Sequence, residues 1–238
     1  MILFLTSSPF SGRGEPFTTR NEFAARFKDA VGQGKRGLFI TSDPDDTAFT
    51  DEFAFGVQKT IELTGIELTR YRVLDGRNAS EAEQLVRESD LIILAGGHVP
   101  TQNRFFHAIR LKEWMREFDG VVMGISAGTM NSAEVVYAQP ELEGEAVDPS
   151  YERFLEGLGL TECMILPHYQ DLKDQTLDGL RVFEDITYPD SMGRQFYALP
   201  DGSYLYGENG VERICGEAWL IQDGVCRKVS EEEGEIRC

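Results

Sequence analysis

The sequence predicts a three-layer α/β fold, a doubly wound and mostly parallel sheet with an antiparallel hairpin extension at its C-terminal end. Strand-like apolar runs alternate with helical segments through most of the chain, which is typical of parallel sheets. The run at 90–95 is almost wholly apolar, as expected of a central strand covered on both faces. After residue 196, short strands are joined by Asp-Gly and Asn-Gly turns, which are strong hairpin signals.

The predicted elements follow one another in the order that such a fold requires. Strands are expected at 2–6, 37–41, 68–74, 90–95, 121–123 and 163–166. Helices are expected at 20–30, 50–63, 80–87, 102–118, 129–136, 152–158 and 177–185. We interpret the tail as antiparallel strands that extend the same sheet system. No linker or repeat interrupts the pattern, so residues 1–238 are expected to form a single domain.

The charge balance narrows the classes of partner. The 238 residues include 23 Lys and Arg against 41 Asp and Glu, a formal net charge of −18. Such an acidic surface argues against nucleic acid and anionic membranes as partners. No stretch reaches the length of a membrane span, and the apolar start is too short for a signal sequence. We therefore expect a cytoplasmic protein, and the sequence leaves a homodimer open.

The cysteines carry no recognisable binding pattern. Cys163, Cys215, Cys226 and Cys238 are scattered and lack C-x-x-C spacing. In a cytoplasm they are expected to be reduced thiols. Because paired His and Cys spacing is also missing, we expect neither a metal ion nor a cofactor.

The stretch that organises the chemistry is Gly124-Ile-Ser-Ala-Gly128. It is a G-x-S-x-G pattern between an apolar strand and a helix, the context in which this pattern forms a nucleophile elbow. The glycines allow a tight turn that would lift the Ser126 hydroxyl above the sheet edge. The N-terminus of the following helix would favour a developing oxyanion. Ser126 is therefore the predicted nucleophile.

A serine nucleophile needs a base, and the chain has three histidines. His168 directly follows a predicted strand, so it can lie at the same sheet edge as Ser126. His98 follows Gly96-Gly97 at another strand end and is the alternative. His107 falls within a predicted helix and is interpreted as a surface or packing residue. We favour His168.

The base in turn needs a carboxylate, and spacing alone does not choose it. The candidates in the acidic loop and beyond His168 are Glu141, Glu143, Glu145, Asp171 and Asp174. Two backbone donors are expected to form the oxyanion hole. One is the amide of Ala127, and the second comes from the Gly96-Gly97 turn, where missing side chains allow close approach.

Three segments together resemble the dipeptidase E and cyanophycinase family of serine peptidases. They are LIILAGG at 91–97, GISAG at 124–128 and LPHY at 166–169. The resemblance implies a flavodoxin-like fold similar to that of class I glutamine amidotransferases. It also implies Ser126 as nucleophile, His168 as base and the amides of Gly97 and Ala127 as oxyanion donors. In dipeptidase E the third member is an acid in the loop after the serine helix, which maps best onto Glu141, with Glu143 as the cyanophycinase-like alternative.

Residues around the predicted pocket bear on the substrate. Gly96, His98 and Gln102 are candidate substrate-binding residues, and the loop at 7–19 would border the same pocket. A carboxylate-bearing substrate would need an arginine there. Candidates for that arginine are Arg13, Arg104 and Arg194.

The resulting hypothesis is a serine peptidase that hydrolyses small peptides through a Ser126–His168–Glu141 triad and an acyl-enzyme. One alternative is an esterase-type α/β hydrolase, which shares the elbow, although its histidine usually lies nearer the C-terminus. The other is a binding module that kept the amidotransferase-like fold and lost the chemistry.

Overall fold

The computed structural model describes residues 1–238, and its strands are organised around one large sheet. The strands are β1 Ile2–Thr6, β2 Lys35–Ile40, β3 Leu68–Leu74, β4 Leu91–Leu94, β5 Val121–Ile125, β6 Val135–Tyr137, β7 Phe154–Glu156, β8 Met164–Leu166, β9 Thr176–Leu177, β10 Leu180–Arg181, β11 Gln195–Ala198, β12 Tyr204–Glu208, β13 Val211–Cys215, β14 Ala218–Gln222, β15 Val225–Ser230 and β16 Glu235–Arg237. The large sheet has eight strands in the order β16-β13-β12-β1-β5-β4-β2-β3. From β1 to β3 all neighbours run parallel, which confirms the predicted sheet.

Helices connect the parallel strands and cover both faces of the sheet. They are α1 Phe23–Val31, α2 Thr47–Leu63, α3 Ala82–Arg87, α4 Val99–Ala108, α5 Leu111–Met115, α6 Ala127–Asn131, α7 Tyr169–Leu172 and α8 Tyr188–Asp190, with a π-helical turn at Val182–Thr187 and 3₁₀ turns at Arg20–Glu22 and Ala79–Glu81. None of these helices has both the length and the apolar composition that crossing a membrane requires.

Alternation along the central strands builds two separate apolar layers. In β1, Leu3 and Leu5 pack into one buried cluster, together with α3, α4 and α5. Phe4, between them, points to the other face and packs among the aromatic rings of Phe23 and Phe27 from α1. Because successive side chains of a strand point to opposite faces, one apolar strand supplies both layers. This alternation produces the three-layer architecture.

The tail divides between two sheets, which corrects the expectation that all of it extends the first one. Strands β12, β13 and β16 do extend the large sheet, and each runs antiparallel to the strand before it, beginning with β12 beside β1. Strands β11, β14 and β15 instead join β8 in a second, four-stranded sheet. That sheet has its own buried cluster, which includes Phe196 and Ile221. The separate core explains why these strands leave the large sheet.

Three predicted helices were wrong in part. Residues 129–136 form α6 only to Asn131 and then enter β6, whose partner β7 occupies the middle of the predicted helix at 152–158. The segment at 177–185 begins with a small hairpin, β9 and β10, before the π-helical turn. Valine, phenylalanine and tyrosine in β6 and β7 favour pleated, half-buried strands once a partner is available.

The cysteine prediction also needs correction. The structure joins Cys163, beside β8, to Cys238 at the end of the chain, with their Cα atoms 6.4 Å apart. Cys215 and Cys226 remain free. The paired residues are 75 positions apart, so only the return of the tail to β8 brings them together.

Candidate active site

Ser126 lies in a tight turn between β5 and α6. Its backbone has φ 48° and ψ −107°, an unfavourable conformation for a residue with a side chain. Two backbone hydrogen bonds hold the turn in this conformation. The Ser126 amide donates to the Thr6 carbonyl at 3.1 Å, and the Met130 amide donates to the Ser126 carbonyl at 3.0 Å. A Cβ atom at Gly128 would clash with the backbone of Leu94 in β4. The elbow therefore depends on glycine for close packing.

His168 reaches Ser126 from the neighbouring sheet. It follows β8, adopts φ 56°, and its Nε2 lies 3.0 Å from the Ser126 Oγ. Its Nδ1 lies 2.8 Å from Oδ1 of Asp201. Because a carboxylate can only accept hydrogen bonds, Nδ1 carries the proton and Nε2 is free to accept the proton of the Ser126 hydroxyl. Ser126, His168 and Asp201 thus form one continuous hydrogen-bonded chain.

Asp201 was not among the predicted acids. It lies three positions after β11, which runs parallel to β8, so both strand ends lie at the same edge of the second sheet. Burial alone would raise the pKa of the Asp201 carboxyl, but hydrogen bonds from His168 and Ser7 outweigh it and hold this pKa below its ordinary value. The residue is thus ionised at neutral pH, as an acid that supports an imidazolium must be. The only local signal was its position after a strand end, which we interpreted as a turn.

Glu141, the predicted third member, contacts a different group. Its Oε1 accepts a hydrogen bond from the Val99 amide at 3.1 Å, at the start of α4. Burial raises the pKa of the Glu141 carboxyl above its ordinary value, and the nearby Glu145 acts in the same direction, against the Val99 hydrogen bond and His98. Asp201, and not Glu141, therefore contacts Nδ1 of His168. The reason is that β11 pairs with β8 and brings Asp201 to the His168 ring.

The other candidate acids also lie elsewhere. Glu145 binds His98, with Oε1 2.8 Å from Nε2, and its second oxygen accepts from the amides of Glu141 and Leu142. Glu143 and Asp174 are exposed and have no hydrogen bond to a histidine. Asp171 lies close enough to His168 and Asp201 for the three to share one cation, since their ligand atoms lie within 4.8 Å of one another. However, Nδ1 of His168 already binds Asp201, so the imidazole has no free nitrogen to offer a cation between these three residues.

The Gly96-Gly97 turn lies directly beside the elbow. A Cβ atom placed on Gly96 would be 3.5 Å from the Ser126 Cβ. Gly97 has φ 151°, a conformation open to glycine, and any side chain there would collide with Ser42. Ala127 is the first residue of α6, at the N-terminal end where helix amides lack intrahelical partners. The structure thus places the Gly96-Gly97 turn and the start of α6 next to Ser126.

Comparison with known proteins shows the family of the chain. The model of peptidase family S51 matches residues 2–214, nearly the whole chain. The chain belongs to peptidase family S51. A search of the curated proteins gave no match. Among solved structures, a Listeria monocytogenes protein assigned as a peptidase E is 17% identical, with a TM-score of 0.57 over 96% of this chain and 98% of that one. That likeness shows a shared fold, and family membership confirms the predicted class, a peptidase of the dipeptidase E type.

Two predicted substrate-binding residues have structural partners in this S51 peptidase. Gln102 is fully buried, donating to the Ala95 carbonyl and accepting from Asn131, so it cannot contact a substrate. His98 binds Thr101 through Nδ1 and Glu145 through Nε2, which leaves neither nitrogen available to Ser126. The prediction for Gln102 is wrong because α4 turns its polar face onto the end of β4.

The candidate arginines have other contacts as well. Arg13 pairs with Glu52 on the surface, and Arg104 donates to Thr101. Arg194 lies over the Phe154 ring, with its guanidinium carbon 4.1 Å from the centroid. His107 donates from Nε2 to the Glu156 carbonyl on the surface, as expected of a packing residue. None of the three arginines is bonded to the Ser126–His168–Asp201 chain.

Three clefts of this S51 peptidase are separate from Ser126. A cleft of about 930 Å³ is lined by residues that include Met1, Glu208 and Cys163, at the opposite end of β1 from Ser126. In its lining, Cys163, Glu212 and Cys238 form the second group whose ligand atoms lie within reach of one cation. Because the two sulfurs are joined to each other, they are not available there as thiolates.

Proposed function

We propose that this S51 peptidase hydrolyses small peptides through a Ser126–His168–Asp201 triad and an acyl-enzyme intermediate. The observation that carries the proposal is the continuous chain from the Ser126 Oγ through the imidazole to the Asp201 carboxylate, with distances of 3.0 and 2.8 Å. Asp201 takes the place that the sequence suggested for Glu141. The elbow conformation of Ser126 supports the same roles, since strained backbone at a nucleophile is a common feature of catalytic turns.

The chemistry follows from these positions. The Ser126 Oγ attacks the peptide carbonyl carbon while Nε2 of His168 takes the hydroxyl proton. The imidazolium is stabilised by the Asp201 carboxylate at Nδ1. When the tetrahedral intermediate collapses, His168 gives that proton to the leaving amine, and an acyl ester remains on Ser126. Water then attacks the ester with His168 again as base, which releases the acid and restores the serine hydroxyl.

The amides of Gly97 and Ala127 are proposed to stabilise the oxyanion. They belong to two segments that meet at Ser126, the turn after β4 and the first turn of α6. Donors fixed in place before the reaction stabilise the developing charge without reorganisation. The lack of side chains at Gly96 and Gly97 lets the substrate oxygen approach the backbone.

Restriction to small peptides is the finer part of the proposal. It rests on the resemblance to dipeptidase E and on the partial burial of Ser126 between the Gly96-Gly97 turn and His168. A short peptide can enter such a site more readily than the backbone of a folded protein.

A dipeptide library incubated with wild-type protein and with Ser126→Ala tests the function. We expect hydrolysis by the wild type only. Labelling by a fluorophosphonate probe should also require Ser126 and His168. Faster turnover of p-nitrophenyl esters than of any dipeptide would favour an esterase, and a protein that neither labels nor hydrolyses would favour a binding module.

Partners and location remain proposals. The net charge of −18 supports the inference that neither nucleic acid nor an anionic membrane is a partner. A cytoplasmic location and a homodimer stay predictions. The Cys163–Cys238 pair speaks against a reducing compartment, where disulfides are rare. Free thiols can be counted in protein isolated from its native host. Two would mean that the disulfide is formed, and four would mean that it is not.

A further inference from the structure

Ser7 occupies a position at the centre of the site that the catalytic chain itself does not explain. It follows β1, whose carboxyl end lies beside the elbow, because the Thr6 carbonyl accepts from the Ser126 amide at 3.1 Å. The Ser7 side chain is completely buried. Its own amide donates to the Ser203 carbonyl at 3.2 Å, which fixes the backbone next to the Asp201 turn.

The Ser7 hydroxyl makes two hydrogen bonds, and their directions are determined by chemistry. The His168 amide donates to the Ser7 Oγ at 2.8 Å. The same Oγ lies 2.7 Å from Asp201 Oδ1, and because a carboxylate only accepts, the single hydroxyl proton must point to Asp201. Oδ1 therefore receives two donors, the Ser7 hydroxyl and Nδ1 of His168. One buried oxygen thus ties the backbone of His168 to the carboxylate that its ring contacts.

We propose that Ser7 is a positioning residue that sets the relative orientation of His168 and Asp201. The inference rests on the proposed function. Ser7 makes no hydrogen bond to Ser126; it acts through His168, which does, and through Asp201, which binds the other nitrogen of the His168 ring. Its bond to the His168 amide holds the left-handed backbone at φ 56°, which aims Nε2 at Ser126. Its hydrogen bond to Oδ1 holds the Asp201 carboxylate in the orientation in which Oδ1 also accepts from Nδ1 of His168.

Removal of this hydroxyl should therefore affect turnover more than substrate binding. In Ser7→Ala, the His168 amide loses its partner and Asp201 loses one donor, so both groups gain freedom to rotate or shift. Small misplacements of catalytic groups cost up to about a hundredfold in rate. We expect kcat to fall about ten- to a hundredfold and KM to change less than about threefold.

Ser191 provides a matched control. It too is completely buried, and its hydroxyl also accepts from a backbone amide, that of Gly224, and donates to a backbone carbonyl, that of Tyr188. It lies before β11, at the end of that strand far from Asp201. Ser191→Ala should lower Tm about as much as Ser7→Ala while kcat stays unchanged. A further variant, Ser7→Thr, keeps the hydroxyl and should recover much of the turnover lost in Ser7→Ala.

A second measurement does not depend on catalysis. Since the chain has only three histidines, the downfield imidazole proton on Nδ1 of His168 can be assigned by NMR with His98→Gln and His107→Gln variants. We expect this signal in the wild type and in Ser191→Ala, and its broadening or loss in Ser7→Ala. If Ser7→Ala keeps both the signal and wild-type kcat, or loses Tm alone, the proposal is overturned. If the wild type hydrolyses no peptide, the proposed function fails and the NMR signal still decides the role of Ser7.

Discussion

Replacement of Asp201 by asparagine is the most direct test of the triad. The change keeps the size of the side chain and removes the charge that faces Nδ1 of His168 at 2.8 Å. Once His168 takes the proton from Ser126, that charge stabilises the imidazolium. The asparagine can also turn its NH₂ group toward Nδ1, which would favour the wrong tautomer of the ring.

The size of the effect can be estimated from this distance. Two unit charges 2.8 Å apart attract by about 1.5 kcal/mol in a water-like dielectric and by about 6 kcal/mol at an effective dielectric constant of about 20. The side chains of His168 and Asp201 are 34% and 40% exposed, so solvent screens part of the attraction. An intermediate value of about 3 kcal/mol corresponds to a loss of kcat of about a hundredfold.

The assay is steady-state hydrolysis of a dipeptide that the wild type cleaves, together with the rate of fluorophosphonate labelling at Ser126. Glu141→Gln is the matched control, because it removes the charge of the acid that the sequence favoured. We expect this variant to keep kcat within about threefold of wild type, since its carboxylate binds the Val99 amide. A hundredfold loss in Glu141→Gln with little change in Asp201→Asn would refute the assignment.

Three further predictions concern stability and the oxyanion turn. Gly97→Ala forces a side chain into φ 151° and against Ser42, so we expect a loss of about 1–3 kcal/mol in unfolding free energy and a large loss of fluorophosphonate labelling, measured together. A variant as stable and as readily labelled as wild type would contradict the close packing of this turn against Ser42. The Glu141 carboxyl has a pKa above its ordinary 4.5 in the folded state. Its contribution to the free energy of unfolding is therefore fully present below the ordinary pKa and is lost as pH rises through the folded pKa. Urea unfolding at several pH values should therefore show Glu141→Gln gaining stability relative to wild type as pH increases, whereas parallel curves would contradict a raised pKa of Glu141. Removing the Cys163–Cys238 bridge in Cys238→Ser should cost roughly 2–4 kcal/mol, visible as a shift in the guanidinium midpoint without reductant, and an unchanged midpoint would mean that the bridge is not formed.

The sequence by itself determined the features that depend on neighbouring residues. Strand and helix alternation predicted the doubly wound sheet, and the apolar run before Gly96 predicted its covered central strand, β4. The elbow could be located because glycines on both sides of Ser126 are required by the turn itself. His168 was found for a similar reason, since a residue that directly follows a strand must lie at a sheet edge.

Only the tertiary structure decided which acid meets His168. Asp201 is 33 positions beyond it, and the two meet because β8 pairs with β11, a contact with no local signal. The acidic loop offered Glu141 at a plausible spacing, but its carboxylate was taken by the Val99 amide. Ser7, at the far end of the chain, joins them only because β1 ends beside the elbow. Short-range patterns record the conformation of one segment, whereas the partner of a buried polar group is selected by which strands pair across the whole chain.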